Sequence, residues 1–532
     1  MTHFALDAGW HRRIGVLLGL LILTWSARGF AEPPQGALKA LEDEINVLKE
    51  THEQTNNQVK QLKERLQKAE QDNADRAAVI KELQRRVEQL EALKKDLQDL
   101  EAKLKEGKTG PAKRGADDPD FGSKDGLYGR FRVEARLRPE LQINVTDLNS
   151  NADDKDAIWG HRVRLGADVG FSSWVRARVD VQESGDFGRA ADTLGTIGLH
   201  QGYAEVRPTF APGLWLRGGR SEMAFGSERL VGRDDFSASG RFFDGALIHY
   251  GYDKYIEADV FYAKLRESPV GQKDADQDFF GVYLTTKAIP YTTLDLYWFG
   301  LVDEILKPLQ VGTTTVTQSF STNLHTVGAR VGALFPFGLL AEVEAAFQFG
   351  SRTDPNDATK ELSHYGMAFY AELGYQAPVI TYPTIAAFFA WASGDGNPKD
   401  GKSNDFQPLF PSRYGFLGAM NLFQWANLMD VGGKLELSPP MGFGFHASVH
   451  YFLLVNDQGT LFGLGTGKTP DQGASLGRNV GLEIDTWASW AWNEHFQLRA
   501  GYSAFVPKTV PDRLKLGTDV AHWAYFQAVA RY

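Results

Sequence analysis

The sequence predicts an all-β transmembrane barrel of about 18 antiparallel strands, preceded by a long N-terminal coiled-coil helix. Three observations support this fold class. From Leu127 onward, apolar and charged residues alternate with a period of two, as in strands with one apolar and one polar face. The links between these strands alternate between short and long, as in an up-and-down barrel. Residues 37–107 instead repeat apolar residues at heptad spacing.

The first element, residues 1–31, is predicted to be a cleaved secretory signal peptide. Arg12 and Arg13 precede the apolar run Ile14–Trp25, and Gly29 and Ala31 supply small residues at the expected cleavage site. The alternative is a membrane anchor, but the apolar run is too short to cross a bilayer core of about 30 Å. We therefore expect the mature chain to work outside the inner membrane.

The second element, residues 37–107, is predicted to be a periplasmic coiled coil. It contains no Pro, and Gly occurs only at its last position. Ile45, Val59 and Leu66 fall on one seam position, and leucines such as Leu41 and Leu48 fall on the other. A stripe this narrow needs a partner helix in water, so we expect homo-oligomerisation through it. A solvated single helix or an intramolecular hairpin is the alternative, although the segment shows no internal turn.

A linker rich in Gly, Pro and charge, residues 108–120, leads to the barrel itself, residues 121–532. The alternation there is regular: Val163, Leu165 and Ala167 lie on one face of a strand, and Arg162, Arg164 and Asp168 lie on the other. The predicted short links are 172–173, 335–338, 438–442 and 493–495, and the predicted long links are 141–157, 222–240, 306–323, 394–426 and 456–477.

A soluble β-sandwich or a solenoid would also place a charged strand face in water. The strands are too numerous and too regularly paired for one sandwich, and no repeat of 20–50 residues occurs. Aromatic residues such as Tyr128, Trp174 and Trp523 lie near strand ends, as the interfacial girdles of membrane barrels require. The alternating C-terminal stretch that ends at Tyr532 resembles the signal by which outer-membrane barrels are recognised for assembly.

Composition and motifs exclude several other classes. The chain has no Cys, which excludes disulfide scaffolds, thiolate-bound metals and a Cys nucleophile. Its net charge of −10 argues against a nucleic-acid partner. The stretch FGLGTGKT at 462–469 resembles a phosphate-binding loop, but its first Gly is displaced by one position and it lies in a long link. We therefore predict neither an enzyme nor a cofactor.

The charged strand faces are predicted to line the lumen. Guanidinium groups stay charged and match carboxylate or phosphate oxygens in fork geometry, so rings of Arg can select anions. The anion-binding candidates are Arg130, Arg132, Arg136, Arg162, Arg164, Arg176, Arg178, Arg220, Arg330 and Arg499. Acidic residues are predicted to share the lumen, namely Glu134, Asp168, Asp180, Glu205, Glu342, Glu344, Glu483 and Asp485. The alternative is that the two sets merely neutralise each other.

One long link carries two further features. Asp395, Asn397 and Asp400 form an oxygen-rich, Gly-rich stretch of a kind that binds calcium, but its spacing does not match the EF-hand loop, so no metal is predicted. The aromatic stretch that follows, residues 406–425, is a candidate plug or gate folded into the lumen.

Three stretches occurring in order resemble the alginate export family of outer-membrane barrels. They are GRSEMAFGSERLVG with GRFFDGALI (219–232 and 240–248), the segment from Trp391 to Asp430, and the segment from Val480 to Pro507. With spaced matches such as HTVGARVG (325–332), the resemblance spans most of 121–532. It implies a monomeric 18-stranded barrel, and the type member of the family carries a polyanionic polysaccharide through an Arg-rich lumen. The coiled coil departs from that member and is similar to the N-terminal helices of some trimeric substrate-specific porins, which favours a trimer.

Two functions are compatible with this organisation. The first is a porin in the outer membrane of a Gram-negative-type bacterium, through which anionic solutes or an anionic polysaccharide diffuse passively. The second is a structural envelope protein, in which the barrel anchors in outer-membrane lipid and the coiled coil acts as a spacer toward peptidoglycan. The size of the predicted barrel favours the first, because a smaller barrel would suffice as an anchor.

Overall fold

The structure is a computed structural model of the 532-residue chain. It describes residues 60, 61, 63, 121–122, 127–151, 154–187, 196–253, 255–267, 275–311, 314–355, 357–397, 399–464 and 474–532. The chain divides into two units, Met1–Asp118 and Pro119–Tyr532. The predicted signal peptide and linker lie outside the described residues, and of the predicted coiled coil only Lys60, Gln61 and Lys63 are described, in helical conformation. No helix among the described residues is long and apolar enough to cross a membrane.

The unit Pro119–Tyr532 is a closed barrel of 18 long antiparallel strands. In chain order the strands are β1 Tyr128–Ile143, β2 Asp156–Ser172, β3 Val175–Phe187, β4 Thr196–Val206, β5 Leu214–Ser221, β6 Phe243–Tyr252, β7 Ile256–Arg266, β8 Gln277–Thr286, β9 Thr292–Val311, β10 Thr314–Leu334, β11 Leu339–Asp354, β12 Asp357–Gln376, β13 Thr384–Ala392, β14 Leu428–Leu437, β15 Phe443–Leu454, β16 Asn479–Ala491, β17 Phe496–Pro507 and β18 Ala521–Arg531.

Each strand pairs with its neighbours in sequence, and β1 pairs with β18 to close the barrel. Phe121–Gly122 adds a short strand beside the start of β1, and Lys402–Ser403 runs parallel to β12. One short helix, α1, spans Thr509–Arg513. The predicted strand number and the closed topology are confirmed.

The outward face of the barrel is apolar, as the alternation predicts. Phe131, Val133 and Leu165 expose 54%, 41% and 57% of their surface, while their sequence neighbours Arg132 and Arg164 lie on the opposite face and are partly buried. A closed barrel leaves no unpaired strand edge, so every strand can satisfy its backbone polar groups within lipid.

The strand connections fall into two sets, one at each rim. The short-turn rim carries 173–174, 207–213, 253–255, 287–291, 335–338, 377–383, 438–442 and 492–495. Glycine is required at turn 335–338: Gly338 has φ +92°, and a Cβ atom there would lie 2.1 Å from the carbonyl oxygen of Gln376. The opposite rim, called the long-loop rim here, carries the long loops, including 222–242, 393–427 and 455–478.

One predicted long link is wrong. Residues 306–323 do not form a loop, because β9 continues to Val311 and β10 begins at Thr314, with Cα pairing maintained between them. This stretch is rich in Thr and also contains Val311 and Val316, and β-branched residues favour extended strands even when they are polar. The hairpin is therefore long, and its connection is short.

Two of the long loops fold into the barrel. In loop 222–242, Leu230 and Val231 are almost fully buried, and in loop 393–427 the same is true of Phe406 and Trp425. A parallel bridge between Val231 and Phe410 joins the two loops. Rings from strands β6–β9, including Phe261, Phe279 and Phe299, form the apolar cluster against which loop 222–242 packs.

A candidate solute pathway in the barrel lumen

The inward faces of β1–β4 carry opposite charges at neighbouring register positions. Arg130 lies 3.2 Å from Asp168, and Arg132 contacts the same carboxylate. Arg178 lies 2.5 Å from Asp180 on its own strand. Further along this wall, the carboxylate of Glu205 is fully buried and receives Arg176 at 2.9 Å together with Arg207 and Arg217. Because cross-strand neighbours have opposite sign, these arginines are largely neutralised within the wall.

Closer to the long-loop rim, arginines of the same wall hold loop 222–242 in place. Arg136 donates to the carbonyl oxygens of Asp235 at 2.8 Å, Ser237 at 2.6 Å and Ala238 at 3.0 Å. Arg162, which has no exposed surface, donates to the carbonyl oxygen of Asp235 at 3.0 Å and pairs with Glu134 at 2.5 Å. These side chains serve as clamps on a loop rather than as free cations.

The carboxylate of Asp235 binds two arginines of the barrel wall. It lies 2.9 Å from both Arg162 and Arg164. Burial alone would raise the pKa of Asp235, but the positive charges of Arg162, Arg164 and Arg136 outweigh it and lower the pKa to about 2. Loop 222–242 is therefore fixed to the barrel wall by an ionised carboxylate throughout the physiological pH range.

On the opposite side of the lumen, Arg229 anchors the same loop to β11. Its guanidinium contacts Glu342, lies 3.1 Å from Glu344, and sits 3.5 Å from the centre of the Tyr370 ring. Arg330 on β10 lies 3.1 Å from Glu342 and 2.6 Å from Asp295 on β9. Loop 222–242 thus crosses the lumen, with arginine contacts at both ends.

Loop 393–427 is held by inward-facing groups of β11 and β16. Gln348 donates to the carbonyl oxygen of Gln407 and accepts the N–H of the same residue, both at 2.8 Å. The backbone N–H of Met420 donates to Glu483 at 2.8 Å, and that of Ala419 donates to Asp485 at 3.1 Å. The predicted lumen carboxylates Glu483 and Asp485 are therefore buried beneath this loop.

The two loops and strands β9–β15 enclose a cavity of about 690 Å³. It lies toward the short-turn rim, where Tyr291 and Leu334 border it. Arg330, Arg413 and Lys434 line it together with Glu342 and Glu372. A solute that crosses the barrel by this route meets cationic groups on several walls.

Two cations of the cavity are more exposed than the carboxylate that lies closest to each of them. Arg413 exposes 46% of its side chain, and its partner Asp234, at 2.7 Å, exposes 2%. Lys434 exposes 23% and its partner Glu372 exposes 7%, at 2.9 Å. Arg330 exposes 15%, between its partners Asp295 at 2% and Glu342 at 19%. The cavity surface therefore carries charges of both signs, of which the Arg413 guanidinium is the more exposed member of its pair.

The prediction that Arg220 faces the lumen is wrong. Arg220 lies on the outward face with Leu216 and Ile248, where it pairs with Asp244 at 2.6 Å. Arg217 occupies the lumen position of β5, and two residues an odd number of positions apart in a strand cannot face the same side.

The remaining predicted residues are placed as follows. Arg499 faces the lumen beside the Trp487 ring. In the calcium candidate loop, the Asp395 carboxylate accepts the N–H of Asn397 at 2.9 Å and the Asp400 carboxylate accepts the N–H of Lys402 at 2.9 Å, as ordinary turns do. Within the residues that the structure describes, no cluster of His, Asp and Glu is arranged to hold a metal ion.

Sequence reasoning missed three cationic groups that line the cavity. Arg229 and Arg413 lie in long loops, where no alternation shows which way a side chain points. Lys434 lies on β14, a strand interrupted by Gly432 and Gly433, which weakened its alternation. The one available signal was the aromatic context of Arg413, which stands between Pro411 and Tyr414 in the stretch considered as a plug.

A closed 18-stranded barrel with an apolar exterior, an ionic interior and inward-folded loops defines an outer-membrane β-barrel of the porin class. The sequence model of the family described as alginate export matches residues 128–508, and the chain belongs to this family. No curated protein matches the chain in sequence.

Several solved porins of Pseudomonas aeruginosa have similar structures. OpdK, solved with vanillate, is 9% identical with a TM-score of 0.51, and the match covers 76% of this chain and 98% of OpdK. OccK8 (OprE) is 11% identical with a TM-score of 0.49, covering 76% and 98%. OccK3 (OpdO) is 13% identical with a TM-score of 0.48, covering 76% and 95%. At these identities the likeness concerns the fold.

Proposed function

We propose that this protein is a passive outer-membrane channel for small anionic solutes. The observation that carries the proposal is the asymmetry of two ion pairs at the cavity, in which Arg413 and Lys434 are more exposed than Asp234 and Glu372 behind them. A low-dielectric wall with exposed charge of one sign raises the local concentration of counter-ions. The protein performs no chemistry on the solute in this proposal.

The inward loops favour small solutes over a polymer. Loop 222–242 crosses the lumen from the clamp at Arg136 to the anchor at Arg229, and it is bridged to loop 393–427 through Val231 and Phe410. A wide bore suited to a polysaccharide would require both loops to leave these contacts. Many of the predicted anion-selecting arginines are occupied in holding the loops or in pairing with wall carboxylates, so selectivity rests on the cavity.

The test is the reversal potential of the purified full-length protein in planar bilayers under a KCl gradient. We expect chloride to permeate better than potassium. Replacing Lys434 with Gln should reduce this preference, because one unit charge about 7 Å from an ion in a water-like dielectric contributes about 0.6 kcal/mol, or roughly a threefold change. The matched control is Lys287→Gln, since Lys287 also pairs with a glutamate, at 3.1 Å, but lies in a turn outside the cavity.

Three results would contradict the proposal. Cation selectivity of the wild-type channel would refute the electrostatic argument. An equal loss of selectivity in the Lys287 and Lys434 variants would show that the cavity charge is not responsible. A barrel that does not conduct at all would favour the envelope-anchor function instead.

A further inference from the structure

Arg499 differs from every other arginine predicted to line the lumen. It lies on the inward face of β17, with Ser489 and Gln527 as its Cα neighbours across the sheet. Among the residues that the structure describes, no carboxylate lies within salt-bridge distance of Arg499. Its Nε atom is buried without a hydrogen-bond partner, as are those of Arg132 and Arg176, but those two arginines pair with carboxylates. The other nine candidates either pair with carboxylates or, like Arg136, donate to loop carbonyls.

The surroundings of Arg499 are aromatic. Its Cζ atom lies 3.9 Å from the centre of the Trp487 ring and 5.8 Å from that of Phe236. Trp487 stacks on His446 with a centroid distance of 5.1 Å and an interplanar angle of 5°, and His446 lines the cavity. Arg499 therefore lies behind the cavity wall, linked to it through Trp487 and His446, near the short-turn rim.

The aromatic contact leaves the binding capacity of the guanidinium unused. A ring that lies over the flat face of a guanidinium attracts its charge by about 0.5–2 kcal/mol and leaves the N–H groups in the guanidinium plane free. An unsatisfied buried donor costs about 1–3 kcal/mol, so such a group calls for a partner. The partner that fits best is a carboxylate, which accepts two parallel N–H bonds in that plane.

We propose that Arg499 is the carboxylate-recognition residue of this channel, and that the Trp487 and Phe236 rings accommodate an apolar ring next to the carboxylate. This inference rests on the proposed function, since it names the solute class that the channel prefers. Chloride is spherical and gains nothing from fork geometry, so Arg499 discriminates between anions and contributes less to the choice of anions over cations.

The experiment measures benzoate and acetate as probes on the full-length protein. In planar bilayers at constant KCl, we expect benzoate to interrupt the chloride current in events longer than those caused by acetate. Arg499→Gln should shorten the benzoate events at least tenfold. Arg499→Lys keeps the charge but lacks the fork, so it should shorten them nearly as much and leave the chloride reversal potential unchanged.

Two further variants separate the parts of the site. Trp487→Leu should shorten benzoate events and leave acetate events unchanged, because acetate has no ring. Arg207→Gln is the control, since Arg207 is a half-exposed arginine at the same rim, outside the aromatic group. Titration calorimetry of benzoate into the purified protein is a second measurement that does not depend on conduction, and Arg499→Gln should weaken the Kd at least tenfold.

The outcomes are distinct from those of the proposed function. Wild-type benzoate events that persist in both Arg499 variants, or no calorimetric binding of benzoate to the wild-type protein, would overturn this inference while leaving anion selectivity untouched. A wild-type channel that prefers potassium would overturn the proposed function even if benzoate binds at Arg499. An equal effect of Arg207→Gln would show that the aromatic surroundings of Arg499 are irrelevant.

Discussion

Replacing Arg136 with Met should release part of loop 222–242 from the barrel wall. The arginine makes three hydrogen bonds of 2.6–3.0 Å to loop carbonyls and a longer one of 3.4 Å to Phe236. A hydrogen bond involving a charged group contributes about 1.5–3 kcal/mol. The freed carbonyl groups can be hydrated in the lumen, so the substitution does not lose all four bonds in full. We therefore expect the free energy that holds the loop to fall by the equivalent of two such bonds, about 3 kcal/mol.

That free energy corresponds to roughly a 150-fold change in the ratio of docked to displaced loop. A segment displaced about 0.1% of the time would then be displaced about 10–15% of the time. Arg162 and Arg164 still hold Asp235, so the displacement should be confined to the residues after it. The expected observation is brief steps to higher conductance in single-channel recordings, together with protease cleavage within 236–240.

The control is Arg178→Met, which removes a lumen arginine that pairs with Asp180 and, within the described part of the chain, bonds to no loop residue. Folding of both variants is checked by heat-modifiable migration in gels. If Arg136→Met folds and its conductance and protease resistance equal those of the wild type, the loop is held by other contacts and the clamp argument is refuted.

Three other perturbations have defined outcomes. Burial raises the pKa of Asp405 to about 6, despite the N–H bond that it accepts from Asp395. The protonated carboxyl group is therefore compatible with the buried position in loop 393–427, whereas the ionised group is not. The resulting stabilisation of the docked loop, about 3 kcal/mol, is lost as the pH rises through 6. Protease sensitivity of the loop should increase between about pH 4 and 6 in the wild type and stay constant in Asp405→Asn. A flat wild-type profile would contradict this. Replacing Arg229 with Leu should destabilise the barrel by about 3–5 kcal/mol, because Glu344 is then buried without its cation. Urea unfolding would detect this loss of stability. An unchanged midpoint of the urea transition would show that Glu344 needs no partner. Deleting residues 37–107 should convert an oligomer into a monomer in detergent, measured by light scattering, whereas an unchanged mass would disprove association through the predicted coiled coil.

Much of the barrel could be predicted because its strands are simple amphipathic ribbons. The alternation at Val163 and Arg164, for example, assigns each side chain to lipid or lumen without knowledge of any partner. The same reasoning failed at Arg220, where consecutive glycines precede the arginine and Arg217 takes the lumen position. It also failed for 306–323, because a polar β-branched strand and a polar loop have similar compositions.

The candidate site was less predictable, because it depends on contacts between distant segments. Arg136 was identified as a lumen residue, but its bonds go to loop carbonyls about 100 residues later in the chain. Backbone carbonyls leave no trace in the sequence, so a clamp and a free anion-binding arginine look the same there. Arg499 was indistinguishable from the paired arginines until its neighbours were known.

The barrel class, the strand number and the segregation of charge to one strand face can be read from the amino-acid sequence, because they follow from a local period of two and from the requirement that lipid-facing surface be apolar. Three further properties depend on the folded barrel: which charged side chains form ion pairs with one another, which bind the inward loops, and which remain accessible to a solute. The physical reason is that ion pairs and inward-folded loops are made between residues far apart in the chain, and pairing geometry is set only when the barrel closes.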